Sequence, residues 1–135
     1  MPSEDLEEVI SVLWVDDFPK NNSYFIDEFQ KLGIRVELAM STGDGLHKFK
    51  KKKYSLILSD MGRFEDGVEN ADAGLDLLRA VRETDKHVPF FIFCSRRAAD
   101  RFGEEALRAG ATGISSSLTD LYTLLNFNAL KERAR

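Results

Sequence analysis

Residues 56–66 read LILSDMGRFED. Apolar residues of strand character run into Asp60, and the chain then opens into a loop that carries Glu65 and Asp66. A carboxylate at the end of a buried strand is costly unless something pairs with it. The question is what stands around Asp60, and the rest of the chain supplies the candidates.

Working outward, short apolar runs recur at regular intervals. VISVLWV (9–15) is continuous and β-branched, as a strand buried on both faces of a parallel sheet is. IRVELA (34–39) alternates, which suits a strand nearer an edge; YSLIL (54–58) and PFFIFC (89–94) are near-continuous, and TGIS (112–115) is the shortest candidate. Helical patterns lie between them. After Pro19, the residues Tyr24, Phe25, Phe29 and Leu32 recur at helical spacing, and Gly33 ends the segment. DGLHKFKKK (44–52), AGLDLLRAVRE (73–83), ADRFGEEALRAG (99–110) and LTDLYTLLNFNALKERA (118–134) complete the set. Strand and helix thus alternate, and the expected fold is an α/β sheet, largely parallel, with helices on both faces. The irregular stretch 61–72, MGRFEDGVENAD, exceeds the two to six residues usual for a strand-to-helix connection.

Composition sets the class. A chain of 135 residues is one domain, its core expected over about 9–130. Hydrophobic residues at 43% and charged residues at 31% describe an ordinary globular chain. A net charge of −4 argues against general binding to nucleic acid. The one cysteine, Cys94, permits no disulfide within the chain, which points to a reducing compartment. No apolar stretch approaches the roughly 18 residues needed to span a bilayer, and Met1 begins an acidic segment rather than a basic signal peptide. The expected location is cytoplasmic.

In an open α/β sheet the functional crevice lies outside the carboxyl ends of the strands. The first strand ends in Asp16 and Asp17, the third in Asp60 and the fourth in Ser95. If these strands are neighbours, three carboxylates and a hydroxyl converge on one edge. Like charges so placed raise one another's pKa. A hard divalent cation such as Mg²⁺ relieves that repulsion and can hold a phosphoryl group against one carboxylate, giving an aspartyl phosphate.

VLWVDDFP, LILSDM, FFIFCS and RAGATGI, in this order, resemble the receiver domain of two-component response regulators over almost the whole chain. The resemblance implies a flavodoxin-like (βα)5 three-layer sandwich with a parallel five-stranded sheet in the order 2-1-3-4-5. It implies Asp60 as phosphoacceptor, and Asp16, Asp17, Asp60 and the Gly62 carbonyl as the Mg²⁺ site. Ser95 then stands at the Ser/Thr switch position. Three positions depart from the family pattern. Ser117 stands where a lysine is usual and Leu118 where a proline is, and Ile114 occupies the place of the switch aromatic. The loop between Asp60 and Gly74-Leu75 is also about six residues longer than usual.

Each residue has a plainer reading as well. Asp16 or Asp17 can simply cap the following helix. Arg63 and Arg96 are the cations beside the site and either can replace the lysine, although solvated loop arginines are the commoner case. Lysines 48 and 50–53 read as the solvated face of the second helix, and His47 and His87 lack metal-ligand spacing. Cys94 and Trp14 read as core.

The expectation is therefore an atypical receiver, not an enzyme. It would take a phosphoryl group on Asp60 from a histidine kinase or phosphotransfer protein, with Mg²⁺ as cofactor, and signal to an output protein through protein contacts, with no nucleic-acid or membrane partner. The chain ends after the last helical pattern, so a stand-alone receiver or one part of a larger protein is expected. The rival expectation is a pseudo-receiver, an interaction domain regulated by partner binding without phosphorylation. A small phosphohydrolase would need a further acid/base and a lysine that the sequence does not offer.

Overall fold

The computed structural model describes residues 9–65, 67–117, 120 and 123. Its main sheet contains five parallel strands: β1 (Ser11–Val15), β2 (Arg35–Ala39), β3 (Leu56–Ser59), β6 (Phe90–Phe93) and β7 (Gly113–Ser115). They lie in the order β2-β1-β3-β6-β7, which is 2-1-3-4-5 when the main-sheet strands alone are counted. Helices α1 (Ser23–Lys31), α2 (Thr42–Lys51), α3 (Ala73–Thr84) and α4 (Arg96–Ala109) connect them. The fifth helix expected over 118–134 falls outside the described residues except at positions 120 and 123, which are helical. No described helix is long and apolar enough to cross a membrane.

The continuous apolar run in β1 has its cause in the sheet's two covered faces. Val12 and Trp14 join Phe29, Leu56 and Leu58 on one side, while Leu13 and Val15 join Ile57, Leu77 and Ile92 on the other. Trp14 stacks on Phe29 of α1 with ring centroids 5.6 Å apart. Truncating such a ring to Ala costs about 3–5 kcal/mol, so Trp14 is a main anchor of α1.

Element ends differ from the sequence reading where capping decides them. A 3-10 turn over Pro19–Asn22 precedes α1, with proline at its first position where no amide donor is missed. Helix α4 starts at Arg96, three residues earlier than the apolar pattern suggests. The Ser95 hydroxyl accepts the Ala98 amide there, and Gly110 closes the helix at φ 109°.

The largest departure is the stretch 61–72. It is no irregular loop: β4 (Arg63–Glu65) pairs antiparallel with β5 (Val68–Asn70), with Gly67 at φ 77° in the turn. The Asp-Gly pair at 66–67 between two short runs is a hairpin signal, here masked by the charges around it. Asp66 itself lies outside the described residues. The hairpin stands at the carboxyl edge of the sheet, directly after Asp60.

Candidate functional site

Parallel pairing brings the acids together. Val15 lies opposite Ser59 in the β1–β3 ladder, so the next residues, Asp16 and Asp60, leave the sheet side by side. The Asp60 amide donates to the Val15 carbonyl at 3.1 Å and the Asp16 amide to the Ala39 carbonyl at 2.9 Å, extending the ladder to the edge. Asp16, Asp17 and Asp60 each offer one oxygen, and these atoms all lie within 4.8 Å of one another. Three half-buried carboxylates so close form the oxygen donor set that a hard cation of the Mg²⁺ type takes.

Two of these acids also shape the loops. Asp16 accepts the Phe18 amide on Oδ1 (2.7 Å) and the Asn22 side-chain amide on Oδ2 (2.9 Å), which fixes the turn into α1. The capping reading does not hold: neither the 3-10 turn nor α1 has a side-chain cap, and Asp16 braces the turn ahead of them instead. Asp17 Oδ2 accepts the Phe64 amide at 2.9 Å and so docks the hairpin. Gly62 is exposed in the link between Asp60 and β4. Gly74, in the first turn of α3, lies against the Asp60 backbone, and a Cβ there would collide with the Asp60 carbonyl.

Arg63 corrects the sequence reading. It is no solvated loop arginine: the residue is 2% exposed. All five of its N–H donors are used. Nη1 donates to Asp60 Oδ1 at 2.5 Å and to Ser59 Oγ at 3.0 Å, Nη2 to Thr42 Oγ1 at 2.8 Å and the Ala73 carbonyl at 3.1 Å, and Nε to Glu65 Oε2 at 2.9 Å. A planar guanidinium can satisfy such a set where an ammonium cannot. Asp60 Oδ2 accepts no hydrogen bond from any described residue, so that oxygen remains open.

The remaining site residues are engaged elsewhere. The Ser95 hydroxyl caps α4. The Ser117 hydroxyl accepts the Asp120 amide at 3.2 Å. Ile114 packs half-buried against the main core cluster. Arg96 is exposed with no ion pair among the described residues. Among the expected compensating cations, the structure brings Arg63 to Asp60 and leaves Arg96 in solvent.

Electrostatics follow from this placement. Burial pushes Asp60 up to about 7, Asp16 and Asp17 add to the rise, and Arg63 opposes it. Burial also raises Glu65, but the hydrogen bonds from Arg63 and Thr42 prevail and hold it below the usual carboxylate range. Burial, helped by the Asp60 charge, lifts the Cys94 thiol to about 11, which makes it an inert core thiol at neutral pH.

Sequence reasoning missed Glu65 and Thr42 as parts of the site. Glu65 Oε2 accepts from the Thr42 amide at 2.6 Å and from the Thr42 hydroxyl at 3.0 Å. The spacing Arg63-x-Glu65 in a strand puts both side chains on one face. That signal becomes readable once the hairpin is recognised.

Comparison with known proteins agrees with this architecture. The family model described as "Response regulator receiver domain" matches residues 12–116. The sensor protein EvgS of Escherichia coli O157:H7 is 29% identical over 106 residues, covering 78% of this chain and 8% of that protein. The chain thus spans a small part of that curated relative. The chemotaxis response regulator CheY4 of Vibrio cholerae superposes with a TM-score of 0.70 at 24% identity, over 94% of this chain and 99% of the other. The response regulator protein TrrA of Thermotoga maritima, solved in complex with Mg²⁺-BeF, gives 0.65 at 22%, over 93% and 96%.

Proposed function

Because the chain belongs to the response regulator receiver domain family, we propose that it acts in two-component signalling as a phosphoryl carrier, with Asp60 as the acceptor. One observation carries this reading. Asp16, Asp17 and Asp60 present their oxygens within 4.8 Å of one another at the carboxyl edge of the sheet. The donor set fits Mg²⁺, with Asp16, Asp17, Asp60 and the Gly62 carbonyl as the residues that would hold it. Bound there, the metal supplies positive charge that offsets the carboxylates and draws phosphoryl oxygens in. The Mg²⁺-BeF complex of the similar TrrA supports this assignment.

The chain's own residues do the rest. Asp60 Oδ2, open to solvent donors, forms the new P–O bond. The P–N bond to a donor imidazole breaks, and its electron pair leaves on the imidazole nitrogen. Arg63 Nη1, already at Asp60 Oδ1, is placed to donate to a phosphoryl oxygen, the task that a lysine at position 117 performs in the usual receiver. Because Asp60 is itself modified, the domain is a carrier rather than a turnover enzyme. A histidine kinase or phosphotransfer protein is the donor, and an output protein reads the result through protein contacts. The lone, unpaired Cys94 agrees with a cytoplasmic setting.

The test is intact mass after incubation with acetyl phosphate and Mg²⁺. One added phosphoryl group in wild type and none in Asp60→Asn supports the reading. A second reading, a pseudo-receiver regulated by partner binding, draws on the same contact: Asp60 already has a counter-ion in Arg63. Absence of labelling under every Mg²⁺ concentration favours it.

A further inference from the structure

Arg63 poses a problem for the site it serves. A guanidinium beside three carboxylates competes with a divalent cation for the same oxygens. Its side chain is fully buried, so it cannot turn to water when the cation arrives. Something must limit it to a single contact with the cluster, at Asp60 Oδ1, while leaving it in reach of a phosphoryl group.

The hairpin provides that restraint. Arg63 Nε donates to Glu65 Oε2, the Thr42 hydroxyl donates to the same oxygen, and Thr42 Oγ1 accepts from Arg63 Nη2. These three bonds close a ring around one edge of the guanidinium. The Thr42 amide, in the first turn of α2, anchors the carboxylate at 2.6 Å, where an anion is also favoured by the helix dipole. The Ala73 carbonyl takes the second Nη2 hydrogen. Only the Nη1 group is left pointing to Asp60 and Ser59. Glu65 also gives the buried cation a carboxylate of its own, so neutrality does not require Asp60.

We propose that Glu65, together with Thr42, is a positioning residue that clamps Arg63 with only its Nη1 group toward Asp60, keeping the guanidinium ready for a phosphoryl group but out of the cation's place. This rests on the receiver reading above. Without the Glu65 charge, Arg63, already on Asp60 Oδ1, has Asp60, Asp16 and Asp17 as its remaining carboxylates and shifts further onto them in competition with metal.

Affinity for Mg²⁺ alone, followed by thermal shift against metal concentration, tests this without any phosphoryl chemistry. Glu65→Gln keeps the shape and removes the charge, and should weaken Mg²⁺ binding about tenfold, or about 1.4 kcal/mol. Thr42→Val should also weaken it, and Thr42→Ser, which keeps the hydroxyl, should restore it. Loss of a negative charge alone would also weaken metal binding, so the deciding comparison is a double-mutant cycle with Arg63→Gln. If Glu65 acts through Arg63, Glu65→Gln changes Mg²⁺ affinity little in the Arg63→Gln background. An equal loss in both backgrounds overturns the positioning role and leaves the receiver reading intact. A wild type with no Mg²⁺ affinity overturns both.

Discussion

Arg63 Nη1 donates to Asp60 Oδ1 at 2.5 Å, from a position only three residues further along the chain. Carboxylate and counter-charge therefore come from one continuous strand–hairpin segment. In the usual receiver the cation arrives from the loop after the last strand, where this chain has Ser117. With the pair fixed locally, the Ser117 hydroxyl accepts the Asp120 amide instead.

The buried pair makes Arg63 a stability determinant. Removing one partner of a buried ion pair typically costs 3–5 kcal/mol, and Arg63→Gln should lose about that much in metal-free urea melts. Mg²⁺ should recover part of the loss by taking over as counter-charge. A loss under about 1 kcal/mol would place the guanidinium in solvent.

Asp60 should make metal-free stability depend on pH. Its folded pKa of about 7 lies above the ordinary 3.8, so folding favours the protonated form. The resulting stabilisation is complete below about 3.8 and is lost as pH rises through about 7. Relative to Asp60→Asn, wild type should lose on the order of 2 kcal/mol between pH 5 and 8, at about 1.4 kcal/mol per unit. A difference that stays flat, or grows with pH, would mean that Arg63 outweighs burial.

Metal should act through the three acids together. With a dissociation constant of about 1 mM, about 10 mM Mg²⁺ adds roughly 1.4 kcal/mol, or about 3–6 °C in melting temperature for a domain of this size. Asp17→Asn should reduce the gain. An identical response in wild type and Asp17→Asn would remove Asp17 from the site.

The switch should travel through the hairpin. Ile114 has no hydroxyl and the Ser95 hydroxyl caps α4, so among the described residues no side-chain hydrogen bond links Asp60 to the α4–β7 face. Arg63, Glu65 and Thr42 instead link it to β4 and the first turn of α2. Beryllofluoride with Mg²⁺ should change amide exchange chiefly in residues 42–45 and 61–75. Change concentrated in 99–117 would restore the conventional route.

The alternation of strand and helix and the acids at the strand ends were legible in the sequence because both depend on near-neighbour patterns, whereas the strand order came only from the resemblance to receiver domains. Continuous runs mark doubly covered strands such as β1, and strand ends mark Asp16, Asp17 and Asp60. The hairpin was not legible. Its two strands have three residues each, too short for alternation to register, and their exposed faces carry Phe64 and Val68, against the usual polarity. Burial of Arg63 was hidden for the same reason. It depends on Thr42 and Ala73, 21 and 10 residues away in the chain, and no local pattern announces such partners.

Labelling rates test most directly whether Arg63 does the work of the missing lysine. Wild type, Ser117→Lys, Arg63→Gln and the double variant are incubated with acetyl phosphate and saturating Mg²⁺, and phosphoryl incorporation is followed by intact mass per folded protein. The account predicts that Arg63→Gln is slower by about tenfold or more, that Ser117→Lys alone changes little, and that Ser117→Lys speeds the Arg63→Gln variant. Arg63→Gln labelling at the wild-type rate, with Ser117→Lys accelerating wild type, would contradict it.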